Sequence, residues 1–456
     1  MTGVLPVLGG PLTGRVTHGR TALTAAELLP LVHGAAAALP TGRVALDGGG
    51  ALSRLVWFLA ADLRGCPALL VEESWTPRER DAVLADAAAT PVDASATPTG
   101  PVRDRSTGGA DEPFYLPTTS GSTGRPRVLQ RSRRSWQRSF ALFDVPLEPA
   151  DEVLVPGPLS SSLFLFGALH GLRAGAPGAG AGVRLLDRWS AVAAAREART
   201  ATVVHLVPAM LAALLAVLER DPVLRAGCAL RAVICGGARV DPALADRLAK
   251  ALPGCELIEY YGSAEQSLIA LRRGGGALRP VVPVAVEPVD DEPVAGAGEL
   301  HVRSELAFDG HLEDGVLVEA SPGWMPVGDR AIQHPDGALE VLGRAATTIS
   351  SGARLVSAEE VEAVLRTGDG VADVLVAPTP HPRFGALVTA LVEVDPGRPP
   401  ALGELRALAR RELAPGKRPR RWLLTTALPR TPAGKPARAL VAERLRAGTL
   451  DAWEPA

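Results

Sequence analysis

Lysine is nearly absent. Of 48 basic residues in this 456-residue chain only three are lysine, at 250, 417 and 435, and the rest are arginine. A lysine kept in such a chain is informative, because a compact ammonium and a planar, forked guanidinium are not interchangeable. Cysteine is scarce too. Cys66, Cys228, Cys235 and Cys255 are scattered without metal-ligand spacing, which argues against a zinc site or a disulfide framework and reads as free thiols in a reducing cytoplasm. Net charge is only -2, so nothing electrostatic argues for nucleic acid or an acidic membrane. A membrane span is not expected: the best apolar run, 153–172, is broken by Pro156, Gly157, Pro158 and serines. Nor does a basic start followed by an apolar block suggest a signal peptide. Aromatics are few at 4%, but hydrophobics at 47% are ample for the cores of roughly two to four domains or subdomains.

What is there is concentrated in one stretch. Thr118-Thr119-Ser120-Gly121-Ser122-Thr123-Gly124-Arg125-Pro126-Arg127 holds five hydroxyls, two glycines and two arginines. Glycines let backbone approach a ligand closely, successive N–H groups form an anion nest, and guanidinium adds charge-assisted bonds. The composition suits a loop around phosphate, although a Ser/Gly linker has similar composition. It is not the usual P-loop, since no Gly-Lys-Ser/Thr follows at the required spacing. The stretch resembles the phosphate loop of the adenylate-forming superfamily of acyl- and aryl-CoA synthetases, peptide-synthetase adenylation domains and luciferases. Arg127 stands where that pattern usually has lysine.

Further segments resemble the family in order. Leu257 to Glu265 reads as a strand ending in Tyr260, Tyr261, Gly262, Ser263, Ala264 and Glu265. The resemblance implies an aromatic against adenine and Glu265 as a Mg²⁺ ligand; Ala264 replaces the usual threonine, and Ser263 is the candidate substitute. Gly328-Asp329 resembles the ribose-binding pair, and Gly343-Arg344 the ribose or phosphate contact before the hinge, where Ala346 replaces the usual aspartate or lysine. Ile349 to Glu362 resembles the loop that enters the site for thioester formation, with Ser351, Gly352 and Arg354 on the thiol side; Ser357 and Glu360 form a helix-start signal within it. Pro429 to Arg438 resembles the segment carrying the catalytic lysine, here Lys435.

Between these lie weaker signals. Pro158 to Gly167, including Phe166, resembles the segment beside the acyl pocket. His205, in an apolar run ending at Pro208, is either a core residue or a pocket residue. Gly236, Gly237 and Ala238 end a strand, as a tight turn or as backbone close to adenine or the acyl group. Gly48-Gly49-Gly50 reads as a strand-to-helix turn, with a nucleotide-phosphate contact as the alternative. Arg131, Arg133, Arg134 and Arg138 read as a solvated helix start, with polyphosphate steering as the alternative, and 417–421 as a solvated basic face, with CoA phosphate binding as the alternative.

The expected fold is multi-domain α/β. Residues 1–344 are expected to form a large N-terminal adenylation domain of stacked α/β subdomains with a β-barrel-like part. Residues 345–456 are expected to form a small mobile α+β domain. The implied enzyme is cytoplasmic, monomeric or homodimeric, and uses ATP and Mg²⁺ to convert a small-molecule carboxylic acid to acyl-AMP. Thr119, Arg127, Glu265 and Lys435 are its catalytic candidates. CoA is the favoured acceptor; a phosphopantetheine on an acyl carrier protein and activation of a non-carboxylate oxyacid are the alternatives.

Overall fold

A computed structural model describes the chain except residues 1–3, 74, 76, 97–108, 120–125, 174–180, 290–294, 345–347, 352–353, 382–384, 414, 432–434 and 456. At 78, 344, 348, 350, 351, 354, 355, 385 and 439 it describes the backbone alone. The chain divides into two compact units: 1–121, 125–283 and 303–323 in the first, and 284–302 and 324–456 in the second.

The first unit is built on two sheets. Its nine-stranded sheet runs Arg279–Pro280, Ser267–Arg273, Glu256–Ser263, Ala232–Gly236, Val203–Leu206, Glu152–Val155, Gly182–Leu185, Arg15–His18, Thr21–Leu23. The strands from Glu256–Ser263 to Arg15–His18 pair in parallel, and each end of the sheet is finished by antiparallel strands. Parallel pairing needs crossovers, and the sequence supplies helices with clear starts. Asp241 caps the helix Pro242–Ala251 through Ala243 N–H, and proline sits in its first turn, as in Pro208–Arg220, where a missing N–H costs nothing. The second sheet joins Val44–Asp47, Ala68–Leu70, Thr90–Asp93 and Pro113–Tyr115 to Arg127–Ser132, Gly310–Glu313 and Val316–Glu319. Gly48 and Gly49 adopt φ +70° and +72° in the turn into the helix Ala51–Arg64, as the triple glycine predicts.

The second unit holds an antiparallel four-stranded sheet (Val284–Pro288, Ala297–Val302, Met325–Gln333, Leu339–Arg344). It also holds a five-stranded sheet of Arg354–Ser357, Thr348–Ser351, Gly385–Val394, Val371–His381 and Arg421–Thr425. Apolar residues of the helices Ala358–Arg366 and Leu402–Glu412, among them Val361, Leu365, Leu405 and Ala409, pack with Val374, Val376, Ala390 and Val392 of that sheet. Ser357 caps the first helix by accepting Glu360 N–H at 3.3 Å, the start expected from the sequence. The architecture is the mixed α/β fold expected, with a large and a small part.

Candidate active site

The two shoulders of the hydroxyl-rich stretch are paired strands. Thr118–Thr119 pairs antiparallel with Arg127–Ser132, placing Thr119 opposite Arg127 and Thr118 opposite Val128. Residues Ser120 to Gly124 lie outside the described residues, but both shoulders are fixed in the sheet. Arg127 is exposed and Thr119 half-buried.

Four residues on, the same strand carries a side chain whose role the sequence hid. Arg131 is 2% exposed. Its guanidinium donates to Ala264 O at 2.6 Å, to Glu265 O at 3.5 Å and to Leu306 O. Phe308 N–H also donates to Glu265 O, at 2.7 Å. Burial pulls the Arg131 pKa down to about 10, opposed chiefly by Asp309, so it stays charged at neutral pH. This one cation holds the hydroxyl-rich hairpin and the Tyr-Gly-Ser-Ala-Glu turn in a fixed relation. The expectation of a solvated arginine cluster is corrected here. Arg133 is also buried, bonded to Asp62 Oδ1 at 2.6 Å and Asp62 O at 2.9 Å, because two cations can leave water when carbonyls and a carboxylate replace it. Arg134 and Arg138 pair on the surface with Asp111 and Glu305.

The Glu265 turn joins the strands Glu256–Ser263 and Ser267–Arg273, with a register shift at Tyr261/Gly262. Glycine is required there, since a Cβ on Gly262 would lie 2.0 Å from Ser267 O. Ser263 Oγ accepts Gln266 N–H at 3.0 Å and keeps its proton to donate. Glu265 and Tyr261 are half-buried. Gln266, which the sequence reading passed over, is buried with Oε1 unpartnered.

Beside this turn lie the carboxyl ends of the parallel strands, where open α/β sheets bind ligands. Gly236 ends Ala232–Gly236 with the Tyr260 ring in the space its side chain would fill: a Cβ would sit 2.3 Å from Tyr260 Cζ. Gly237, at φ +80°, and Ala238 follow, both exposed. Burial drives the Tyr260 hydroxyl far above the usual phenol range. Phe143 packs on Tyr260 at 6.2 Å and on Phe166 at 5.2 Å, and Phe166 stacks on Phe140 at 4.6 Å. His205 lies under this cluster, fully buried, 6.1 Å from Phe143 and 5.9 Å from His170, with neither ring nitrogen partnered. A side chain at Gly167 would strike it. Burial keeps His205 neutral and pulls His170 down to about 4.

The second unit carries the remaining candidates. Asp329, buried, lies opposite Arg344 in the four-stranded sheet, just after Gly328 at φ +79°. Ser351 pairs with both Arg354 and Gly385 at the end of a hairpin whose tip, with Gly352, lies outside the described residues. Lys435, half-buried, sits in a narrow hairpin: Thr431 N–H donates to Lys435 O at 2.7 Å, and Lys435 N–H to Thr431 Oγ1 at 3.2 Å. Of the basic run 417–421, Lys417 is bonded to both Glu360 oxygens at 2.6 and 2.7 Å, and Arg421 to Glu454 at 2.9 Å.

The chain matches the family model of AMP-binding enzymes over residues 90–312 and that of the AMP-binding enzyme C-terminal domain over 360–435. It is 30% identical to an uncharacterised acyl-CoA ligase of Bacillus subtilis, YhfT, across 88% of this chain and 87% of that protein. The solved amide bond synthetase McbA of Marinactinospora thermotolerans is 26% identical with a TM-score of 0.80, over 97% and 98% of the two chains. At 21% identity, O-succinylbenzoate-CoA synthetase of Bacillus subtilis with its acyl-adenylate shares the fold, with a TM-score of 0.81 over 96% and 97%.

Proposed function

The chain belongs to the AMP-binding enzyme family and is an AMP-forming ligase, and from that premise we propose that it activates a carboxylic acid with ATP and hands the acyl group to the thiol of CoA. A carboxylate oxygen bonds to the α-phosphorus and the bond to pyrophosphate breaks. The acid is ionised at pH 7, so this step needs no general base. The thiol then adds to the acyl carbon and AMP departs. The observation that carries this reading is the Arg131 tie, which holds the phosphate-suited hairpin of Thr119 and Arg127 against the Glu265 turn.

In this reading Ser120 to Gly124, Thr119 and Arg127 hold phosphates, Gly237, Ala238 and Tyr261 border adenine, and Asp329 and Arg344 take the ribose. Lys435 neutralises charge in the adenylation step. Mg²⁺ supplies further neutralisation when bound. In this reading Glu265, with phosphate and water oxygens, would hold it. Residues 345–456 act as the mobile domain hinged after Arg344, exchanging Lys435 for the Ser351–Arg354 hairpin end between steps.

The aromatic packing around Phe143, Phe166, His205 and Tyr260 favours a compact acid over a long chain. The absence of a carboxylate among these positions disfavours a free α-amino acid. The relationship to an amide bond synthetase makes the acceptor a separate question. A pyrophosphate-release screen over fatty, aromatic and amino acids, each with no acceptor, CoA, a holo carrier protein or a simple amine, tests all three points. Expected is release with short or aromatic acids that CoA accelerates; no acid-dependent release would overturn the proposal.

A further inference from the structure

Lys435 is held from both ends of its hairpin. Arg430 bridges to Pro436 across the hairpin, and Ala437 N–H donates to Pro429 O at 2.7 Å. At the near end the Arg430 guanidinium spans two strands of the five-stranded sheet. It donates to Asp373 Oδ2 at 2.9 Å and to Glu393 Oε2 at 2.7 Å. Both carboxylates are themselves anchored: Asp373 Oδ1 accepts Val374 N–H at 2.8 Å and Arg366 Nε at 3.2 Å, and Glu393 Oε2 accepts Leu428 N–H at 3.1 Å. At the far end Arg438 donates to Val376 O at 2.8 Å and to Glu362 Oε2 at 2.8 Å. Glu362 is 5% exposed and also accepts Val376 N–H at 2.7 Å.

Surface ion pairs hold little, but charge-assisted bonds to already oriented carboxylates, buried at Asp373 and Glu362 and half-buried at Glu393, hold a backbone firmly. A lysine has four rotatable carbons, so its ammonium reaches a fixed point only if the backbone under it is fixed. We propose that Arg430 and Arg438 are positioning residues for Lys435, bracing its hairpin on Asp373, Glu393 and Glu362 so that the ammonium meets the reacting phosphate in one geometry. This rests on the assignment of Lys435 to adenylation. The two arginines touch neither acid nor nucleotide in this scheme; they act through the hairpin.

The test compares both half-reactions in the full chain, using the best acid from the screen. Acid-dependent ATP–pyrophosphate exchange reads the first, and thioester formation from synthetic acyl-adenylate the second. Arg438→Met and Arg430→Met are expected to lower the exchange rate by about 10- to 100-fold, the cost of a small misplacement at a reacting centre. The second half-reaction should stay within about twofold, which also shows that the small domain is folded. Arg438→Lys, which keeps a charge for Glu362, should recover part of the loss. Because the arginines act through the lysine, Lys435→Ala/Arg438→Met should exchange no more slowly than Lys435→Ala. If Lys435→Ala leaves exchange intact, the assignment of the lysine fails. If it abolishes exchange while both arginine variants exchange normally, the bracing alone is wrong. Equal loss of both half-reactions in the arginine variants would make them supports of the fold, and would overturn the proposal too.

Discussion

Arg131 shows what a single buried cation does when its partners are backbone carbonyls. Exchanging it for methionine leaves Ala264 O and Leu306 O without a donor, each unmet group costing about 1–3 kcal/mol. Arg131→Met is therefore expected to lower unfolding free energy by roughly 3 kcal/mol in denaturant titration and to weaken ATP binding in calorimetry. Unchanged nucleotide affinity in the folded variant would detach the tie from the site. Gly262→Ala is expected to destabilise by more than about 2 kcal/mol, because the new methyl meets Ser267 O. The buried pair His170 and His205 gives a pH signature. His170 is held near pKa 4, and an unfolded histidine titrates near about 6.5. Between these values the unfolded chain binds a proton that the folded chain refuses. The contribution to stability is thus complete above the upper value and falls away as pH drops towards the lower, by ~3 kcal/mol in total. His205 acts in the same direction. Urea midpoints should fall more steeply from pH 6.5 to 4.5 in the native chain than in His205→Leu; equal slopes would contradict this. Residue types were legible in the sequence, but not their surroundings. Nothing in Arg131-Ser132-Arg133 distinguishes two buried cations from a solvated pair, because their partners lie at Ala264, Leu306 and Asp62.

At the scale of elements, local chemistry was the readable part. The strand Val44–Asp47, the helix Ala51–Arg64 and the helix Leu402–Glu412 follow from apolar spacing, and Ser357 from its glutamate three residues on. The strand Arg127–Ser132 was not readable, since it carries no alternating apolar pattern and one of its partners is the distant strand Gly310–Glu313. Ser357→Ala should cost about 1 kcal/mol through its lost cap. Gly352→Leu, between the hairpin strands Thr348–Ser351 and Arg354–Ser357, is expected to block thioester formation while sparing adenylation; an unaffected thioester rate would remove that hairpin from the second step.

At the scale of the whole molecule the candidate residues fall in two units, Thr119, Arg127 and Glu265 in one and Asp329 and Lys435 in the other. That ordering along the chain was visible, because the family's segments keep their sequence. The strand order was not: Arg15–His18 lies beside Gly182–Leu185, a pairing that no local pattern encodes. The account stands on an acid oxygen attacking the α-phosphorus of ATP, and isotope transfer tests that directly. The accepted acid, carrying ¹⁸O in both carboxyl positions, is turned over with ATP and CoA, and the AMP is analysed by mass spectrometry. The account predicts one ¹⁸O in each AMP and none in pyrophosphate. Unlabelled AMP, or label in inorganic phosphate, would contradict it.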